Sequence, residues 1–132
     1  MRAYVVVPQR RSVCEVVFDC HDVRRLAEFW AAVLSGPSDT TPERVSAQVR
    51  SDDWAMVVDT EGVAVALAFQ RVPEGKSVKN RVHLDITSDD LTLDTARLVA
   101  LGATTIGSVV TDESGAFQVL ADPEGNEFCL VD

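Results

Sequence analysis

No run of about 18 apolar residues occurs in this 132-residue chain, so no segment is expected to cross a bilayer as a helix. A secretory core is missing too. Residues 4–7 are a short apolar run, followed by Pro8 and then Gln9-Arg10-Arg11. The chain is therefore expected to be cytoplasmic. Positive charge is scarce: 12 bases stand against 21 acids, a net charge of −9. Nucleic acid and anionic membrane both need a basic patch, so neither is expected as a partner. Arg10-Arg11 and Arg24-Arg25 are too few to line a nucleic-acid groove. Only three cysteines occur, Cys14, Cys20 and Cys129, with no CxxC pair. That argues against a disulfide framework and a structural zinc site. Cys14 and Cys20 fall in an apolar row and read as small core hydrophobes. No Gly-rich phosphate loop and no GxSxG elbow is present.

What is present is a repeated order of elements. Residues 12–20 alternate, with Cys14, Val16, Phe18 and Cys20 on one side of a predicted strand. Asp22 is placed to cap a helix in which Leu26, Phe29, Trp30, Val33 and Leu34 share one face, and Gly36-Pro37 stops it. A polar loop at 38–43 precedes three strands predicted at 44–50, 54–59 and 63–72. Residues 73–80 read as a linker. The order then recurs: a strand at 81–88, a helix at 91–101 capped by Asp89 or Asp90, and strands at 104–110, 116–121 and 127–131. Leu91, Thr95, Leu98 and Leu101 form the inner stripe of this helix, and Gly102 closes it. The expected fold is α+β, one structural domain of two tandem βαβββ modules whose curved mixed sheets enclose a cavity. The divisions are an N-terminal arm at 1–11, which can add an edge strand through residues 4–7, a first module at 12–72, the linker at 73–80 and a second module at 81–132.

Four segments carry a resemblance. They are Asp19-Cys-His-Asp-Val-Arg-Arg-Leu-Ala-Glu-Phe-Trp30, the stretch from Leu67 to Asp85, Arg97-Leu-Val-Ala-Leu-Gly-Ala103, and Asp122-Pro-Glu-Gly-Asn-Glu-Phe-Cys-Leu130. With them the chain resembles the vicinal-oxygen-chelate superfamily of glyoxalases, bleomycin- and fosfomycin-resistance proteins and extradiol dioxygenases. It looks most like small glyoxalase-like domain proteins of actinobacterial type. Asp-Pro-x-Gly-Asn before a terminal strand is the most specific element, a turn that re-aims the last strand. The fold hosts many unrelated functions.

Alternation places Glu15, Val17 and Asp19, and equally His83, Asp85 and Thr87, on the cavity side. Glu15 and His83 each lie seven residues before a cap, Asp22 or Asp90, so they hold matching places in the two modules. The resemblance implies that metal-using relatives draw ligands from both these places and from each module's last strand. The last-strand position, a Glu in such relatives, is Cys129 here. In the first module Ala66, Ala68 and Gln70 face inward, and of these only Gln70 carries a ligand atom. The candidate cavity residues are Glu15, Asp19, Trp54, Gln70, His83, Asp85 and Cys129. The candidate metal ligands are Glu15, His83 and Cys129, for a divalent cation such as zinc, nickel, manganese or iron.

Each candidate has a plainer alternative. His83 can be a hydrogen-bonded cavity residue paired with Glu15. Glu15, with Asp19 or Asp85, can be a general base raised by an apolar setting, or a solvated carboxylate at the mouth. Trp54 can stack on a flat ligand or pack at a module or subunit contact. Trp30 reads as core and His21 as surface. Three functions follow: a small-molecule binding protein, a metal-dependent lyase or isomerase using Glu15 and His83, and a non-catalytic dimeric interaction domain with a cavity closed by Phe69, Phe117 and Trp54. Homodimers are usual among look-alikes. Glyoxalase I activity is not expected, because its four-ligand set is not preserved.

Overall fold

A computed structural model of the chain describes residues 11–36, 44–62 and 65–132. Its elements run β1 (Val16–Cys20), α1 (Val23–Ser35), β2 (Val45–Val49), β3 (Trp54–Asp59), β4 (Leu67–Arg71), β5 (Asp85–Thr87), α2 (Leu91–Ala100), β6 (Thr104–Asp112), β7 (Gly115–Ala121) and β8 (Glu127–Val131). The strands form two four-stranded sheets that do not close on each other, ordered β1-β4-β3-β2 and β5-β8-β7-β6. In each sheet the first strand pairs parallel with the last and the other pairs are antiparallel. The two orders are the same, so the chain is a duplicated βαβββ unit. The arm strand at residues 4–7 and the loop at 38–43 lie outside the described residues.

The helices form where capping and pattern agree. Asp22 accepts from Arg25 N–H at 3.0 Å and starts α1. Asp90 does the same for α2 through Leu93 N–H at 3.0 Å. Leu101 ends α2, and Ala103 N–H bonds back to Leu98 C=O while Gly102, at φ 116°, makes the left-handed step. α1 buries Val23, Leu26, Ala27, Phe29, Trp30, Ala31 and Val33. Trp30 is at the centre of the core. Its ring meets Phe18 of β1 edge-on at 5.2 Å and Phe128 of β8 at 4.9 Å. Such aromatic pairs add about 0.5–1.5 kcal/mol each beyond their buried area. One continuous apolar cluster thus spans both modules.

A second tie crosses the same boundary. Asp122, buried, accepts from Trp30 Nε1 at 3.0 Å, from the backbone of Glu124 and Asn126, and from Asn126 Nδ2. Glu124 then reaches back to the start of α1, accepting from His21 N–H at 2.6 Å and Asp22 N–H at 3.0 Å. The Asp-Pro-Glu-Gly-Asn turn therefore clamps the second module to the first module's helix as well as turning the chain into β8.

Several expectations are corrected. Cys14 is exposed: β1 begins at Val16, so Cys14 lies ahead of the sheet. The strand at 81–88 shrinks to β5, and Val82 is 73% exposed. The register sets Asp85 against Cys129, so Val82 falls opposite the turn that precedes β8. Leu101 is exposed, while Asp94 is buried and holds Ser88 Oγ at 2.6 Å. α2 buries only Asp94 and Leu98, so it covers its sheet far less than α1 does. Phe69 is fully buried against Phe18 on the helix side and lines neither of the two cavities between the modules described below. No helix among the described residues is long and apolar enough to cross a membrane.

Candidate ligand site at the seam between the modules

Each sheet has a helix-facing row and an opposite, helix-free row, fixed by period two. In β1 the helix row is Val16, Phe18 and Cys20, leaving Val17 and Asp19 on the other face, with Glu15 one residue ahead of the strand. Register carries that face across the sheet, because Asp19 lies opposite Gln70 and Gln70 opposite Trp54. In the second sheet Leu84 and Ile86 join the core, so His83 and Asp85 take the helix-free side with Cys129, the partner of Asp85. Matching the modules through Glu15 and His83 matches Val17 to Asp85. Ala68, the partner of Val17, then corresponds to Cys129, and Gln70 corresponds to Val131.

Two cavities open where the modules meet. The smaller, about 350 Å³, is bounded by Val17, Asp19, Lys76, Asn80, His83 and Glu127. The larger, about 870 Å³, lies between α1, α2, β4 and β5, with Leu34, Leu67, Ile86 and Leu130 as apolar wall and Arg44 and Arg97 as polar groups. Val16, His83 and Leu84 border both. The larger space opens on the helix side because α2 leaves Ile86 and Leu84 only partly covered. Of the candidate residues, Asp19 and His83 line the smaller cavity, and His83 and Asp85 the larger. Glu15, Trp54, Gln70 and Cys129 line neither.

Both arginines of the larger cavity are engaged. Arg44 pairs with Asp59 at 3.0 Å, and Arg97 donates to Ala32 C=O at 2.9 Å and faces Asp94 at 3.5 Å. Exposed carboxylates of Asp85, Asp89 and Asp90 stand at the rim. With a net charge of −9 behind them, the field favours a neutral or cationic guest over an anionic one.

His83, Asp85 and Cys129 come together. Their potential ligand atoms all lie within 4.8 Å of one another, and His83 Nε2 is 3.3 Å from Asp85 Oδ1. Glu15 is not among them. The pairing of His83 is thus with Asp85, the first residue of β5, two positions further along the chain. The Cys129 thiol is half-buried and its pKa is raised, first by burial, then by the charge of Asp85 and a hydrogen bond to it; Lys79 opposes weakly. A thiol held this way is a poor nucleophile near neutral pH. Cys20 is more inert still, pushed up to about 12 by burial and by the carboxylates of Glu124, Asp122, Asp22 and Asp19.

The four-ligand centre of metal-using relatives does not fit here. The place matching Cys129 in the first module is Ala68, which has no ligand atom, and Glu15 stands apart. The donors that do converge are one imidazole, one carboxylate and one thiol.

Glu127 was not singled out in the sequence, although it shares the inward row of β8 with Cys129. It accepts from Lys76 Nζ and Asn80 N–H, both at 2.9 Å, and so fastens the linker against the smaller cavity. Burial works against its charge, but these bonds and the Lys76 charge outweigh that and bring its pKa to about 2. Its ordinary value is 4.5, so this contribution is complete above pH 4.5 and fades as pH falls towards 2. Urea melts at successive pH values should show the gap between the wild-type chain and Glu127→Gln closing over that interval. A gap independent of pH contradicts the assignment.

A family model described as a glyoxalase-like domain matches residues 15–131. No curated protein matches the chain. Among solved structures, a glyoxalase/bleomycin resistance protein/dioxygenase family enzyme from Burkholderia phytofirmans is similar, with TM-score 0.70 and 17% identity over 91% of this chain and 97% of that one. A glyoxalase-related enzyme from Fulvimarina pelagi gives 0.68 and 16%, over 92% and 88%. The trypanothione-dependent glyoxalase I of Leishmania major gives 0.62 and 16%, over 93% and 87%. At these identities the likeness is one of fold.

Proposed function

Because this chain belongs to the glyoxalase-like domain family, whose fold recurrently encloses small molecules, we propose that it binds a small organic ligand at the seam between its two modules. The observation that carries the reading is the cavity of about 870 Å³ with an apolar wall and few polar groups. Ligand sites are of this size and character, apolar for affinity and sparsely polar for orientation. The rim carboxylates favour a neutral or amine-bearing molecule. His83, bordering both cavities, is the residue placed to orient it.

A thermal-shift screen of amines, neutral metabolites and antibiotics tests this. A ligand at 100 times its Kd adds about 2.7 kcal/mol, which raises Tm by about 10 °C for a chain of this length. Leu84→Trp, filling the wall shared by both cavities, should abolish the shift while keeping a cooperative melt. A panel that gives no saturable shift, or one undiminished in Leu84→Trp, contradicts the reading.

A homodimer is the accompanying reading. It is favoured by exposed apolar residues on the edge strand β6, namely Ile106, Val109 and Val110, and on α2, namely Leu93 and Val99. Unpaired apolar edges are normally covered. Sedimentation should give a dimer mass that falls to the monomer in Ile106→Lys/Val110→Lys. A wild-type monomer at working concentration ends this reading.

A further inference from the structure

We propose that the larger cavity selects its guest by a cis amide edge, the adjacent N–H and C=O of a primary amide or a lactam, read by Asp94 and Arg97 of α2. This rests on the proposal that the cavity takes a small molecule, and it names the chemical class of that molecule.

Asp94 is 8% exposed. Its Oδ1 and the Nε of Arg97 are buried and have no hydrogen-bond partner among the described residues. Both residues line the larger cavity. Their other polar atoms are committed. Asp94 Oδ2 accepts from Ser88 Oγ at 2.6 Å, and Arg97 Nη1 donates to Ala32 C=O at 2.9 Å. Held in this way, Oδ1 and Nε stand 3.5 Å apart, an ion pair too long for a good hydrogen bond. A buried donor or acceptor left unmade is costly. A guest that satisfies both therefore gains more than one that only fills the space. Thr95 Oγ1 is unpartnered too, but it lines neither cavity.

Geometry names the group. The nitrogen and oxygen of one amide edge are about 2.3 Å apart. With hydrogen bonds of about 2.9 Å, the N–H donates to Asp94 Oδ1 while the C=O accepts from Arg97 Nε. The four atoms close a ring across the gap. A single hydroxyl oxygen reaches both partners only at a pinched angle of roughly 75°. An ammonium group suits Asp94 and is repelled by Arg97, and a carboxylate meets the reverse. A trans secondary amide turns its N–H and C=O to opposite sides, and turning it cis is unfavourable. Neither Oδ1 nor Nε is open to solvent, so Arg97, its side chain 25% exposed, must turn aside to admit the edge. The apolar body of the guest then lies on Leu34, Leu67, Ile86 and Leu130.

Titrations of the full chain with benzamide, isoindolinone, N-methylbenzamide and benzylamine, followed by backbone and arginine side-chain nuclear magnetic resonance, test this. Benzamide and isoindolinone should bind at least about tenfold more tightly than the other two. Their saturable changes should fall on the four wall residues, and the Arg97 Nε–H signal should move downfield. Arg97→Met should cut the preference for benzamide over N-methylbenzamide to below about threefold, and Asp94→Asn should lower it. Gln70→Ala, which lines neither cavity, should keep it. The readout is a ratio of two affinities, so a variant that only loosens the fold weakens both compounds alike. If Arg97→Met does not melt cooperatively, Arg97→Lys removes Nε and keeps the charge. N-methylbenzamide or benzylamine binding as tightly as benzamide, or a preference that survives both substitutions, overturns the amide edge and leaves the ligand cavity standing. The same holds if none of the four saturates while another compound binds at the wall residues. If nothing binds there, both proposals fall.

Discussion

Asp122→Ala should cost the folded chain about 3–4 kcal/mol, lowering Tm by on the order of 10–15 °C. The reason is the number of donors it orphans. The Trp30 indole N–H sits in the core beside Asp122, where no water replaces the lost oxygen. An unsatisfied buried donor costs about 1–3 kcal/mol. The backbone N–H groups of Glu124 and Asn126 lose their acceptor as well. Once the turn loosens, Glu124 no longer holds the first turn of α1. Asp122→Asn keeps one acceptor oxygen and should lose roughly half as much. Far-ultraviolet circular dichroism in urea checks both. A loss below about 1 kcal/mol for the alanine variant would mean that the turn does not hold the modules together.

Trp30→Ala should be at least as damaging, about 3–5 kcal/mol. Typical domains are stable by only about 5–15 kcal/mol, so this variant stands near the limit of folding. The side chain is 1% exposed and is ringed by Phe18, Phe29 and Phe128. Its removal opens a void between two modules that cannot collapse without shearing their sheets. Trp30→Phe separates the ring from the N–H. It should cost about 1 kcal/mol and should couple strongly to Asp122→Asn in a double-mutant cycle. If Trp30 were instead a ligand platform, Trp30→Phe would impair binding and spare stability. Stability loss with binding retained supports a core role.

The repeated architecture was legible because each local signal agreed with the others. Asp22 and Asp90 cap helices as their chemistry predicts. The alternation around Phe18 and around Leu84 and Ile86 named the core-facing rows of both first strands. Local pattern failed where a distant partner decides the outcome. Whether residues 81–84 are strand depends on where β8 begins, and whether Cys14 is covered depends on where β4 begins. The Asp122–Trp30 bond spans 92 positions and the Glu124–Asp22 bond 102. Period carries no information over such distances. The turn could therefore be recognised as a turn, while its role as a clamp could not.

The candidate site was legible only in part, for a related reason. Alternation put His83, Asp85 and Cys129 on one face, and the ladder brings them together. The same reasoning paired His83 with Glu15, yet facing rows on separate sheets need a particular angle between those sheets. The larger cavity arises from the shallow docking of α2, which buries only Asp94 and Leu98. Leu101 gave no sign of this, since it follows the helical period and is nevertheless exposed. Arg44 and Arg97 went unnoticed because isolated arginines on an acidic chain read as solvated charge.

Backbone amide shifts followed by nuclear magnetic resonance, during titration with whichever amine or neutral compound stabilises the chain, test the central claim most directly. The account predicts saturable changes concentrated at Val16, Leu34, Leu67, Leu84, Ile86 and Leu130, which wall the seam. Changes centred on Trp54 and Gln70, on the open face of the first sheet, would contradict it.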